Sequence, residues 1–170
     1  MDVPLILARV LHISLGVFWV GTIVFNAIFL SPSMRDAGPD GAKVAAGLMK
    51  RRFLDVMPLV ALTSILSGLY LLWRASIGFA PAYMGSRIGI AYSTGLLVTV
   101  VAFGLGVGVL RPAMRRAAAL SQQAATAAPD ERASMMATAQ AMRVRAGAAG
   151  TVVAGLLVAV TITMSVARYL

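Results

Sequence analysis

The chain contains one histidine and no cysteine, so any metal chemistry must rest on that imidazole, on thioethers, on carboxylates or on the backbone. Steps of three and four residues link Arg9, His12, Gly16, Trp19, Ile23 and Asn26. At helical spacing these put nearly every strongly polar side chain of the first apolar segment on a single stripe. An ionisable or amide side chain facing lipid costs a few kcal/mol on insertion scales, so the stripe is expected to face protein.

Two chemical roles fit such a histidine. A neutral imidazole among membrane helices is a good axial ligand for haem b, arginines near the surface can pair with propionates, and methionine is a known second ligand. The same histidine with a methionine can hold copper(I), which prefers soft ligands. The plainer reading is that His12 hydrogen-bonds a neighbouring helix, no cofactor is bound, and the arginines snorkel to the interface.

Depth adds detail. At 1.5 Å per residue His12 lies about 12 Å below the start of its helix. Met164, near the end of the last apolar segment, reaches a similar layer with Arg168 above it. Tyr70, Trp73 and Arg74 end the second segment, and Arg87 and Tyr92 begin the third. The candidate cofactor-binding residues are therefore His12, Met164, Arg9, Arg87, Tyr92 and Trp19, with His12 as the candidate metal ligand. No catalytic residue emerges. The six acids (Asp2, Asp36, Asp40, Asp55, Asp130 and Glu131) are terminal, in loops or at helix starts, and there is no phosphate loop, nucleophile motif or clustered acid-base pair, so the expectation leans away from an enzyme.

The elements that must position these residues follow from composition. Of 170 residues, 59% are apolar and 12% charged, against roughly a quarter charged in soluble proteins. A bilayer core needs about 20 apolar residues per helix, and four stretches qualify, at about 4–30, 53–74, 88–111 and 147–168. The expected fold is all-α: an integral membrane four-helix bundle forming a single domain. The start has no basic region, and its apolar run is too long for the core of a cleaved signal peptide, so it is expected to remain as a helix.

Eleven of the fifteen basic residues fall in two segments, 31–52 and 112–146 with Arg111 at the edge of the second. By the positive-inside rule both face the cytoplasm and both termini face out, in what is expected to be a bacterial inner membrane. The net charge of +9 is then this asymmetry and not a nucleic-acid surface. The expected partners are the lipid bilayer, other membrane subunits or further copies of the chain.

Leu30-Ser31-Pro32-Ser33-Met34-Arg35-Asp36-Ala37 is echoed by Leu110-Arg111-Pro112-Ala113-Met114-Arg115-Arg116-Ala117, with five of eight positions matching. Met49-Lys50-Arg51-Arg52-Phe53 is echoed by Met142-Arg143-Val144-Arg145-Ala146. The echoes suggest two helical hairpins of like topology related by a pseudo-two-fold axis along the membrane normal. Pro32 and Pro112 suit the first turn of a new helix, with a change of direction and with Ser31 as a cap. Asp40 and Pro129-Asp130-Glu131 read as starts of helices that run on into the second and fourth spans. The alanine-rich 112–146 region is expected to be a cytoplasmic helical extension of helices three and four, turning near 127–130.

Membrane helices associate through small residues and interhelical hydrogen bonds. Ser64-xxx-Gly68, Gly85-xxx-Gly89-xxx-Ser93, Gly104-xxx-Gly108 and Ala146-xxx-Gly150-xxx-Ala154 therefore mark candidate seams. Pro58 is expected to kink the second helix.

The run Leu11-His12-Ile13-Ser14-Leu15-Gly16-Val17-Phe18-Trp19-Val20-Gly21 resembles the opening helix of copper-resistance D (CopD)-like membrane proteins and of HemJ-type protoporphyrinogen oxidases. Both share a Leu-His, a tryptophan about seven residues on and a following small residue. The likeness extends loosely through Arg52, Met57-Pro58 and Ser67-Gly68, covering about the first 75 residues. It implies a small multi-helix bundle and, for the HemJ type, haem b on the first-helix histidine, here His12. Where the HemJ pattern has a tryptophan-rich approach and a Leu-His-Val-Lys-like stretch, this chain reads Gly85-Ser86-Arg87-Ile88-Gly89-Ile90-Ala91-Tyr92, so the catalytic residues do not carry over. Two functions stand level: a haem- or copper-binding redox or handling protein centred on His12, and a non-enzymatic structural or assembly subunit of a larger membrane complex. A small-solute transporter on the pseudo-two-fold axis stands well behind.

Overall fold

A computed structural model describes residues 1–170, the side chain of Pro39 excepted. Among the described residues the chain is all-helical. Four helical runs are long and apolar enough to cross a membrane: Val3–Asp36, Phe53–Ala75, Arg87–Ala124 and Pro129–Tyr169. This is consistent with a multi-pass membrane protein.

The first run comprises α1 (Val3–Phe25), a π-helical turn (Asn26–Leu30) and α2 (Ser31–Asp36). Asp2 caps α1, its carboxylate accepting from the Leu5 N–H at 3.2 Å, and it also pairs with Arg74 at the far end of α4 (Phe53–Ala75). Before α4 comes α3 (Pro39–Lys50). A short α5 (Pro81–Met84) leads to α6 (Arg87–Leu105), which continues through a second π turn (Gly106–Leu110) into α7 (Arg111–Ala124). Ser86 caps α6 by accepting from the Gly89 N–H. The last helix, α8, runs unbroken over Pro129–Val166.

The two π turns occupy matching places in the echoed sequence. In one the Ser31 N–H reaches back to the Asn26 carbonyl, and in the other the Arg111 N–H reaches back to that of Gly106. Each precedes a proline that lacks an N–H and would press on the carbonyl four residues earlier. Widening the turn relieves that contact. The backbone therefore stays helical through Pro32 and Pro112. Ser31 does not cap a new helix; its hydroxyl donates to Asn26 Oδ1 at 3.1 Å.

The expected continuity of the 40s into the second span fails. α3 and α4 are separated at Arg51 and Arg52, and Arg52 adopts the left-handed conformation, φ 58°. The fourth span does run on as expected. α8 has 38 residues, about 57 Å at 1.5 Å per residue, so part of it must project beyond a membrane core of about 30 Å. That part carries α7 along a seam of buried alanines, Ala117, Ala124, Ala139 and Ala146. Arg143 adds a bond to the Ser121 hydroxyl at 2.6 Å. Between the two helices Arg132 donates to the carbonyls of Ala124 and Ala127, satisfying the end of α7.

Inside the apolar part, α1 packs on α4, α6 on α8, α4 on α6 and α1 on α8. The central layer takes one group from each apolar segment and a second from the last: Trp19, Ala61, Ala102, and Val153 with Leu157. One indole opposite two alanines fills the space that four similar side chains would crowd. Of the candidate seams, Ser64/Gly68 and Gly150 meet neighbouring helices, whereas a Cβ at Gly104 or Gly108 would meet nothing within 4 Å.

Candidate functional site

His12 is half-buried on α1 against α4. Its Nδ1 lies 2.8 Å from the backbone carbonyl of Ser64. A carbonyl can only accept, so Nδ1 carries the proton and donates; in the neutral ring the lone pair is then on Nε2. The reciprocal bond runs from the Ser64 hydroxyl to the His12 carbonyl at 3.3 Å. The Ser67 hydroxyl donates toward the carbonyls of Thr63 and Ser64, at 2.8 and 3.0 Å. Ser64 and Ser67 are themselves buried.

Glycine makes this contact possible. A Cβ on Gly68 would stand 2.6 Å from His12 Cε1 and 2.8 Å from Nδ1, and one on Gly16 would touch the Ser64 hydroxyl at 3.4 Å. The imidazole thus lies on the bare backbone of α4, one turn beyond the carbonyl it bonds. Among the described residues Nε2 has no hydrogen-bond partner.

One ring nitrogen is held by a backbone carbonyl, which fixes the ring plane, and the other is left open, as in a histidine oriented to ligate and equally in one that joins two helices. A single axial haem bond asks for no more protein donors than this. Among the described residues no three His, Asp or Glu side chains converge, so a metal cage built from those groups has no donor set.

The other candidates are distributed as follows. Met164 is half-buried against Gly95 of α6, where a Cβ would stand 2.8 Å from its Cε. Its contact is with a different helix from that of His12. Trp19 is 5% exposed in the central layer, where its packing accounts for its place on the stripe. Arg9 and Arg87 are exposed, Arg74 is engaged by Asp2, and Arg168 lies over the Tyr169 ring at 4.6 Å. Tyr92 is half-buried. It lies near Tyr83, whose phenol is pushed above its ordinary pKa by burial and, secondarily, by Tyr92.

A second polar constellation escapes sequence reasoning. Asp55, one turn into α4, accepts from Arg111 at 2.7 Å and from Arg115, while Arg111 Nε donates to the Leu54 carbonyl at 3.0 Å. The available signal was Pro58: it leaves the carbonyl four residues earlier without its helical donor, and that residue is Leu54.

No protein-family model, curated protein or solved structure is significantly similar to this chain.

Proposed function

We propose that this chain is a small multi-pass membrane protein that holds haem b, or copper in its place, through Nε2 of His12. The observation that carries the reading is the Nδ1–H···O=C bond to Ser64, which leaves a pre-oriented, unbonded nitrogen inside an apolar bundle. When bound, the haem would supply a one-electron iron centre. The protein's part would be to hold the imidazole plane and to close the layer below with the Trp19 indole.

The basic segments 31–52 and 112–146 lie on the cytoplasmic side by the positive-inside rule, with the termini outside and a bacterial inner membrane as the setting. The chain is then two helical hairpins of like topology, with α7 and the start of α8 as a cytoplasmic extension. This topology is supported by the matching π turns at Asn26–Leu30 and Gly106–Leu110. It would also set the two glycine contacts at one height. His12, Gly68, Gly95 and Met164 each lie seven residues from Trp19, Ala61, Ala102 and Leu157 respectively, about 10.5 Å along the axis. In alternating helices these displacements all run the same way, so Met164 would lie at the height of His12 and is the candidate second ligand. The exposed Arg9 and Arg87 lie beyond it for propionates.

A second reading, a non-enzymatic structural or assembly subunit, is favoured by the same Ser64–His12 exchange of hydrogen bonds, which already gives the imidazole a helix-joining role. The absorption spectrum and metal content of protein purified in mild detergent separate the two. The haem reading expects a Soret band that disappears in His12→Ala, and the copper reading expects copper lost in the same variant. A colourless, metal-free protein that co-purifies with other membrane subunits favours the second reading and contradicts the first.

A further inference from the structure

We infer that Arg111 is a latch that closes the basic end of the bundle, and that Pro58 is what makes the latch necessary. In a regular helix the carbonyl of Leu54 is served by the N–H of residue 58, and proline has none. Arg111 Nε fills that vacancy from another helix at 3.0 Å, while its terminal nitrogen reaches the Asp55 carboxylate at 2.7 Å. One guanidinium thus grips the backbone and a side chain of the same turn of α4, a two-point contact that its planar fork permits and a lysine does not.

The π turn delivers Arg111 to this place. An extra residue in the Gly106–Leu110 turn advances everything after it by about 100° around the axis. Directly behind the latch lies a cavity of about 50 Å³ whose lining includes Trp19, Met57, Pro58, Ala61, Gly106 and Arg111. Its volume suits a few water molecules and is far too small for a haem or an acyl chain. The weak points of the two helices, a proline on α4 and a widened turn beyond α6, therefore face each other across unfilled space, and the Arg111 contacts tie the helices together there. Released, α4 and the end of α6 are free to part and to admit water to the layer of Trp19.

The test uses the absence of cysteine in the chain. Met57→Cys places a single thiol on the cavity wall, and its rate of reaction with a water-soluble maleimide in detergent reports opening. Arg111→Ala, which removes both grips, is expected to raise that rate roughly tenfold or more. Arg111→Lys, which keeps a cation for Asp55 but loses the fork, is expected to raise it roughly threefold. Pro58→Ala restores the missing N–H, so in that background Arg111→Lys is expected to change the rate little. The inference is overturned if neither Arg111 variant speeds labelling, or if the Arg111→Lys effect is as large with alanine at 58 as with proline. Should Arg111→Ala fail to assemble, the lysine variant measured with and without Pro58 decides alone.

Discussion

Gly68→Ala is expected to destabilise the bundle by about 2 kcal/mol, and to lose most of that cost when His12 is also replaced by alanine. The added Cβ would stand 2.6 Å from Cε1 and 2.8 Å from Nδ1, and its neighbour on the other side is helix backbone, so the imidazole must leave. Overpacking of this kind costs about 1–3 kcal/mol, and an interhelical hydrogen bond in a membrane is worth about 1 kcal/mol. The better helix propensity of alanine returns less than about 1 kcal/mol. In His12→Ala the ring atoms that the added Cβ meets first are gone. A double-mutant cycle read by thermal or denaturant unfolding in detergent checks this. Additive costs would mean that the ring does not rest on Gly68.

Trp19→Ala is expected to cost more, about 3 kcal/mol. Its indole is the one large group in a layer whose facing residues on α4 and α6 are Ala61 and Ala102, almost fully buried. Neither alanine can move in to fill the space. In water-soluble cores such truncations cost about 3–5 kcal/mol. Here the low end applies, because separated helices in lipid still solvate an indole with acyl chains. The same unfolding measurement checks it, and Trp73→Ala, at a half-exposed aromatic, provides a control expected to change stability little. Equal effects at the two tryptophans would remove Trp19 from the centre of the bundle.

The apolar spans were legible because their signal is a matter of length and composition. The alanine-rich extension was legible too, since no breaker interrupts 129–166. The break at Arg52 was not: its cause is a single residue in the left-handed region, and nothing in the run Lys50-Arg51-Arg52-Phe53 forbids a helix. Gly95, which seats Met164, belongs to an Ala91-xxx-Gly95 spacing no stronger than many others in the chain, whereas Gly104 and Gly108 fit the same kind of spacing and face open space. Spacing shows where backbones can approach, and the partner helix decides where they do.

The site divides in the same way. That His12 faces protein follows from the cost of turning a polar stripe to lipid. The partner it meets there is a backbone carbonyl, which no side-chain pattern can announce and no substitution at residue 64 can delete. The Asp55–Arg111–Arg115 cluster was hidden for a related reason. Asp55 read as an ordinary acid at a helix start, and only the carbonyl freed by Pro58 explains why a second helix reaches for that turn.

The claim on which the functional reading rests is that His12 is held through Nδ1 with Nε2 left open. The chain has a single histidine, so protein labelled with nitrogen-15 in that residue type alone gives one imidazole spectrum, free of overlap. In cofactor-free protein at neutral pH the account predicts a protonated Nδ1 and an unprotonated Nε2, with the Nε2 resonance alone shifting strongly when haem is added. A ring protonated at Nε2 instead, or one averaging freely between the two tautomers, would contradict it.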